Sequence, residues 1–156
     1  MTVPMARAPR FLPDTSCIIA AVCAWHEQHE EAAREIERRL AAGERLVVAA
    51  PALVESYAVL TRLPAPHRVA AVDARDLLEA NFLKRSLLVA LSAGEYRSLI
   101  RRAPENTVTG GQTYDAIIAA CGRKARVTAL LTLNARHFPL ALVGNLRVVV
   151  PGERLN

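Results

Sequence analysis

The run LVVAAPALVESYAVLTRLP, from Leu46 to Pro64, decides the fold. Leu46 to Ala49 is unbroken apolar sequence, the pattern of a strand buried on both faces rather than one alternating between core and water. Pro51 follows where a first helical turn tolerates its missing amide. The spacing then predicts a helix over Ala52–Leu63, ended by Pro64 and Pro66. A buried strand feeding directly into a helix is half of a parallel crossover unit, and the same order recurs on both sides of it.

Toward the N-terminus, Phe11-Leu12 reads as the end of a short strand before Asp14, and an apolar helix runs from Thr15 to about Ala24. His26 to Ala42 is a charged amphipathic helix with Ala33, Ile36, Glu37 and Leu40 at helical spacing and Gly43 as its stop. Toward the C-terminus come a helix over Arg68–Phe82, a strand over Leu87–Val89, and a helix capped by Ser92 and running to about Arg102. A loop over Pro104–Gly111 leads into a helix over Thr113–Lys124. Thr128–Leu131 and Arg147–Val150 are the last strands, with a short helical piece around Ala135–Phe138. Apolar strands separated by helices imply an α/β protein: a three-layer α/β/α sandwich around a central, mostly parallel sheet of about five strands. No linker divides the chain, so residues 10–156 are read as a single domain behind a flexible N-terminal arm, residues 1–9.

A chain of 156 residues is long enough to bury a core without disulfide or metal staples, and 52% hydrophobic residues exclude wholesale disorder. Cys17, Cys23 and Cys121 lie in apolar runs without the spacing of a disulfide framework or a zinc site, so reduced, buried thiols and a cytoplasmic protein are expected. The first ten residues lack the apolar stretch of a signal peptide. The best membrane candidate, Cys17–Trp25, is far short of the roughly 20 apolar residues a spanning helix needs. A net charge of +5 favours a polyanionic partner without requiring one, and among the 20 Lys and Arg only Lys84 and Lys124 are Lys.

The acidic residues are more informative than the basic excess. In an open α/β sheet, sites form outside the carboxyl ends of the strands, and Asp14 stands there, closing the first strand and opening the first helix. As an isolated residue it reads equally well as a helix cap. Glu55 lies one turn inside a helix whose other residues are nearly all apolar, a setting where Glu is rarely buried unless paired or metal-bound. A solvated face shared with Ser56 and Thr61 is the alternative. Asp115 repeats the placement in the first turn of the helix QTYDAIIAA, Gln112 to Ala120. Asn134, directly after a strand in LTLNARHF, Leu131 to Phe138, offers an oxygen ligand or a water-orienting amide at the same edge, or a simple helix cap. Converging carboxylates do not all stay ionised without a cation between them. All-oxygen donors select Mg²⁺ or Mn²⁺ over zinc, and phosphodiester chemistry suits such an ion in a basic protein.

Asp14-Thr15-Ser16, Val54–Pro64, Tyr114-Asp115-Ala116 and Leu131–Phe138 together resemble the PIN-domain nuclease pattern, and most closely the VapC-type toxins of type II toxin–antitoxin systems. The resemblance spans about residues 10 to 151. It implies a PIN-like fold and a Mg²⁺-dependent endoribonuclease, with Mn²⁺ as a possible substitute, active as a homodimer and held inactive by a VapB-type antitoxin. It further implies an acidic triad of Asp14, Glu55 and Asp115, with Asp14 and Asp115 as the metal ligands and Glu55 positioning the ion or the attacking water. Asn134 falls where many relatives carry a fourth Asp, which removes one charge from a second metal position. Ser16 and Thr132 match hydrogen-bonding positions behind the acids, and Gly110-Gly111 matches the small residues before the third.

Other residues compete for attention. His26 and His29 have zinc spacing but no third ligand nearby, which favours a solvated helix face. His137 is open between a phosphate contact and packing beside Phe138. Arg123-Lys124-Ala125-Arg126 suits a helix C-terminus, and Arg62, Arg68, Arg101 and Arg102 suit either RNA or antitoxin. With aromatics at 4% of the chain, base stacking is not expected to be the main source of RNA affinity. The alternative function is a catalytically weak or inactive RNA-binding module on the same fold.

Overall fold

A computed structural model describes residues 6–154. Five strands, β1 (Arg10–Pro13), β2 (Arg45–Ala49), β3 (Ser86–Val89), β4 (Ala129–Leu131) and β5 (Arg147–Val149), form one sheet in the order β3-β2-β1-β4-β5. Every neighbouring pair is parallel. The helices are α1 (Thr15–Val22), α2 (His29–Ala41), α3 (Ala50–Arg62), α4 (Ala71–Asn81), α5 (Ala93–Arg102), α6 (Gln112–Lys124) and α7 (Leu140–Val143). The expected sandwich is therefore found, and its sheet is wholly parallel.

Strand order reverses direction at β1: the chain steps outward through β2 and β3, then returns to place β4 on the other side. That reversal opens a crevice at the carboxyl ends of β1 and β4, the place where α/β sheets bind ligands. Register brings the two ends level, since Phe11, Leu12 and Pro13 pair with Ala129, Leu130 and Leu131. The Asp14 amide then donates to the Leu131 carbonyl at 2.8 Å.

The core is mainly aliphatic, joined by the three Phe, and centred on β1, β2 and β4, with Phe11, Leu12, Val47, Val48, Leu130 and Leu131 fully buried. All three cysteines are buried and free, as expected. The inward face of α2 overlaps the predicted one only in part, with Ile36 buried and Leu40 packed against the core. Ala32, Ile36 and Arg39 face inward while Glu37 is exposed and pairs with Arg85 at 2.6 Å. Arg39 occupies a core-facing position because its guanidinium is held by Glu35 at 2.7 Å and Glu44 at 2.9 Å and lies 5.7 Å from the centre of the Phe11 ring. A paired Arg breaks a polarity pattern that counts every charge as outside.

Two strand-level expectations also shift. β3 is an edge strand, and Leu87 and Leu88 are about half exposed, so its apolar run is not covered on both faces. The helices expected from His26 and Arg68 begin at His29 and Ala71, leaving residues 23–28 and 63–70 as ordered connections. α7 is an element the sequence reading lacked. Of the expected N-terminal arm, residues 1–5 lie outside the described residues. Residues 6–9 are exposed, with the Pro9 carbonyl accepting from the Arg45 amide at 2.8 Å. Among the described residues no helix is long and apolar enough to cross a membrane.

Candidate active site

Asp14 is both a helix cap and the most constrained acid in the chain. Its side chain caps α1 through the Cys17 amide, which donates to Oδ1 at 3.0 Å, and it is 5% exposed. The Ser16 hydroxyl donates to the same oxygen at 2.6 Å, and the Thr132 hydroxyl donates to Oδ2 at 2.6 Å. Both hydroxyls are themselves aimed by the backbone following β4. The Leu133 amide donates to Ser16 Oγ and the Asn134 amide to Thr132 Oγ1, each at 3.0 Å. Two parallel relays thus run from the end of β4 into the two oxygens of one carboxylate. A hydroxyl that accepts from an amide has its own hydrogen free to point at the acid, so each relay favours ionised Asp14.

Burial works against that. Desolvation pushes the Asp14 carboxyl above the ordinary Asp range, with the Ser16, Thr132 and Cys17 bonds opposing it. Asp115, in the first turn of α6, is raised as well. Desolvation is the main cause, and the charges of Asp14 and Glu55 add to it while His137 opposes. The acids therefore feel one another's charge.

Asp14, Ser16, Glu55, Asp115 and Asn134 line a single open cleft of about 470 Å³, and Thr132 reaches it through Asp14. The six residues expected at the site, Asp14, Ser16, Glu55, Asp115, Thr132 and Asn134, are thus at or directly behind one cleft. Details differ from expectation. Glu55 is exposed on α3 rather than buried, with Thr15 Oγ1 donating to its Oε2 at 2.9 Å. Ser56 does not share that solvated face; it is fully buried and donates to the Ala52 carbonyl at 2.7 Å. Asn134 precedes the 3₁₀ turn Ala135–His137 without a side-chain capping bond, so the simple-cap reading fails and its amide is left for the cleft.

Thr15, His26, Gln28 and His137 also line the cleft. His137 Nδ1 lies 3.6 Å from Asp115 Oδ2 at the cleft, and the neighbouring Phe138 is buried in the core. His26 was expected on a solvated helix face; instead it sits in the α1–α2 connection with Nδ1 accepting from the Gln28 amide at 3.1 Å. His29 does not join it as a ligand pair, since its Nδ1 donates to the Ala20 carbonyl at 2.8 Å. Only the tertiary return of that connection to the cleft identifies His26. Arg123 donates to the Leu142 carbonyl, and Lys124 binds the Ala90 carbonyl at 2.9 Å and Glu95 at 2.8 Å. These two cations at the C-terminus of α6 therefore tie the helix to its neighbours.

Among the described residues no three His, Cys, Asp or Glu side chains form a ready-made metal cage. The donor set nevertheless fits Mg²⁺. That ion keeps several waters and is commonly held by one or two carboxylates together with substrate phosphate. Oδ2 of Asp14 has Thr132 as its hydrogen-bond donor and retains lone-pair capacity for another partner. Asp115, only partly buried, supplies the second carboxylate in a cleft whose polar lining is oxygen, amide and imidazole groups beside Ile19, Val59, Ile118 and Leu133.

The chain matches the PIN domain family over residues 11–141. Ribonuclease VapC40 of Mycobacterium tuberculosis is 43% identical over 128 residues, covering 80% of this chain and 86% of the relative. Ribonuclease VapC27 of the same species is 34% identical over 128 residues, covering 82% and 87%. Two solved structures share the fold at 17% identity. One is VapBC2 from Rickettsia felis bound to a DNA fragment from its promoter, with TM-score 0.64 over 91% of this chain and 98% of that one. The other is M. tuberculosis VapC20, a Sarcin-Ricin loop cleaving toxin, with TM-score 0.58 over 77% and 86%. On these matches the chain belongs to the PIN domain family and, within it, to the VapC ribonucleases.

Proposed function

We propose that this VapC ribonuclease is a Mg²⁺-dependent endoribonuclease toxin, with Mn²⁺ as a substitute, that cuts RNA as a cytoplasmic homodimer and is neutralised by a VapB-type antitoxin. The observation that carries the reading is the convergence of Asp14, Glu55, Asp115 and Asn134 on one cleft at the reversal point of the sheet. Like charges gathered opposite a phosphate repel it, so a pure RNA-binding module gains nothing from this set. The ribonuclease names of the curated relatives, and the VapBC complex among the solved structures, support the activity and the partner.

Asp14 and Asp115 would hold the ion, which when bound supplies Lewis-acid stabilisation of the phosphate and of the leaving oxygen. The remaining tasks belong to the chain. Ser16 and Thr132 favour the ionised form of Asp14 against its burial and fix its rotamer, so the group facing the phosphate needs no rearrangement during reaction. Glu55, steadied by the Thr15 hydroxyl at the open side of the cleft, orients the attacking water and receives its proton. The Asn134 side chain offers an N–H to a phosphate oxygen without adding negative charge. His137 stands beside Asp115 as a further donor at the rim. In-line attack by water releases a 5′-phosphate and a 3′-hydroxyl.

Antitoxin-free protein incubated with end-labelled RNA and Mg²⁺ or Mn²⁺ tests this directly. Cleavage should disappear with chelator and in Asp14→Asn and Asp115→Asn, while RNA binding persists. Salt-sensitive binding with no cleavage by the wild type would instead support the non-catalytic module.

A further inference from the structure

Beside the acid cleft, two connections meet that neither the core nor the acid chemistry accounts for. Residues 23–28 link α1 to α2, and residues 63–70 link α3 to α4. From the second comes His67, whose ring stacks on that of Trp25 with centroids 4.1 Å apart and planes 26° apart. Trp25 also lies 5.8 Å from the ring of His26, which lines the cleft together with Asp14 and Asp115. Trp25 is the chain's single Trp, and it is 47% exposed.

Both connections are held in place. The His26 amide donates to the Cys23 carbonyl at 2.9 Å, and the His29 amide to the His26 carbonyl at 3.0 Å. In the other connection, the His67 amide donates to the Pro64 carbonyl and the Val69 amide to the Leu60 carbonyl, both at 3.0 Å. The Trp25 ring is thus backed by one aromatic face and presented by hydrogen-bonded turns. Its ordering has been met before any ligand arrives, and that preorganisation is what a stacking platform needs.

We propose that Trp25, backed by His67 and joined to the cleft through His26, stacks a nucleobase next to the phosphate that is cut. Trp25 is thereby a specificity-determining residue. The inference rests on the ribonuclease reading and deepens it. A base on Trp25 lies one imidazole away from the acids, so its own backbone enters the cleft. Stacking accepts any base with an open face, and such faces are available in single strands and loops, not inside an A-form duplex. The platform therefore selects an unpaired nucleotide at the cut site and leaves base identity to other contacts. Aromatics are scarce in the chain, but here one is placed where a single stack matters.

Because the chain has one Trp, its fluorescence reports on this position alone. The full chain, in chelator so that nothing is cut, is titrated with a single-stranded oligoribonucleotide and with an abasic oligomer of the same length. Quenching is expected with the first and not with the second. Trp25→Ala should weaken oligoribonucleotide binding about tenfold or more, and Trp25→Phe should restore most of it. In cleavage assays Trp25→Ala should raise KM more than it lowers kcat. Equal quenching by the abasic oligomer, or wild-type binding and KM in Trp25→Ala, overturns the platform. The two readings fail separately. Cleavage without base-dependent quenching removes the platform alone. Base-dependent quenching by a protein that never cuts RNA keeps the platform and removes the ribonuclease.

Discussion

Burial raises the carboxyls of Asp14 and Asp115 above the ordinary Asp range, and this has a defined effect on stability. An acid with a raised native pKa holds its proton longer in the folded chain than in the unfolded one. Across the window above the ordinary value the native state binds more protons, so the contribution of these two groups falls as pH rises. Below the ordinary value both states are protonated and the cost vanishes. Without metal, Asp115→Asn should therefore gain thermal stability relative to wild type as pH goes from about 4 to about 7. Scanning calorimetry of both proteins in chelator measures it, and a pH-independent difference would contradict the raised carboxyl. Thr132 tests the relay behind Asp14. Thr132→Val keeps the shape but leaves the Asn134 amide and one Asp14 oxygen short of a partner. A loss of about 1–3 kcal/mol in denaturant unfolding is expected, with a fall of about 10–100-fold in cleavage, the scale seen when a partner behind a metal ligand is lost. At this scale the acids were legible in the sequence, because Asp14 caps the helix that follows a strand and Asp115 falls in a first helical turn after a loop. His26 was not, because its relation to the cleft is set by a connection that returns through space.

Helices in this chain separate into those that carry the site and those that enclose it. α1, α3 and α6 bring Asp14, Glu55 and Asp115 together, whereas α5 contributes none of the acids and has no fully buried residue. Its start is secured by a capping box in which the Glu95 amide donates to Ser92 Oγ at 3.2 Å and the Ser92 amide to Glu95 Oε2 at 2.7 Å. Ser92→Ala should cost about 1 kcal/mol of stability in a denaturant titration and leave the cleavage rate unchanged. A matching drop in rate would mean that α5 shapes the cleft. Ser92 was readable as a cap from its position before the helix. The inward face of α2 was not, because Arg39 is buried only through Glu35 and Glu44, and that pairing decides the facing of the helix.

Over the whole molecule, the acid cleft adjoins a second, apolar groove of about 600 Å³ between α3 and α6. It is lined by Pro51, Val54, Ala58, Tyr96, Tyr114 and Ile117, and Glu55 borders both cavities. Val54 and Tyr114 are 68% and 65% exposed. A homodimer interface on this groove would set two acid clefts near one another. Val54→Asp should then shift the mass measured by light scattering from dimer to monomer. The fold should survive, since an exposed position takes a charge without burying it. A dimer that persists in the variant would move the interface elsewhere.

Sequence by itself determined the α/β class, the parallel sheet, the order of elements apart from α7, and which acids gather. Short, continuous apolar runs separated by helices favour a parallel sheet flanked by helices, with the edge strand β3 left half exposed, and βα junctions in such a sheet all point to one edge. Tertiary structure alone decided that β1 and β4 are neighbours, which places Thr132 and Ser16 on the two oxygens of Asp14 and opens the cleft between them. It also decided that Trp25 meets His67, 42 positions further along the chain, beside His26. Local sequence sets the period and punctuation of each element. Contacts between distant residues depend on strand order and loop return, which no local preference encodes.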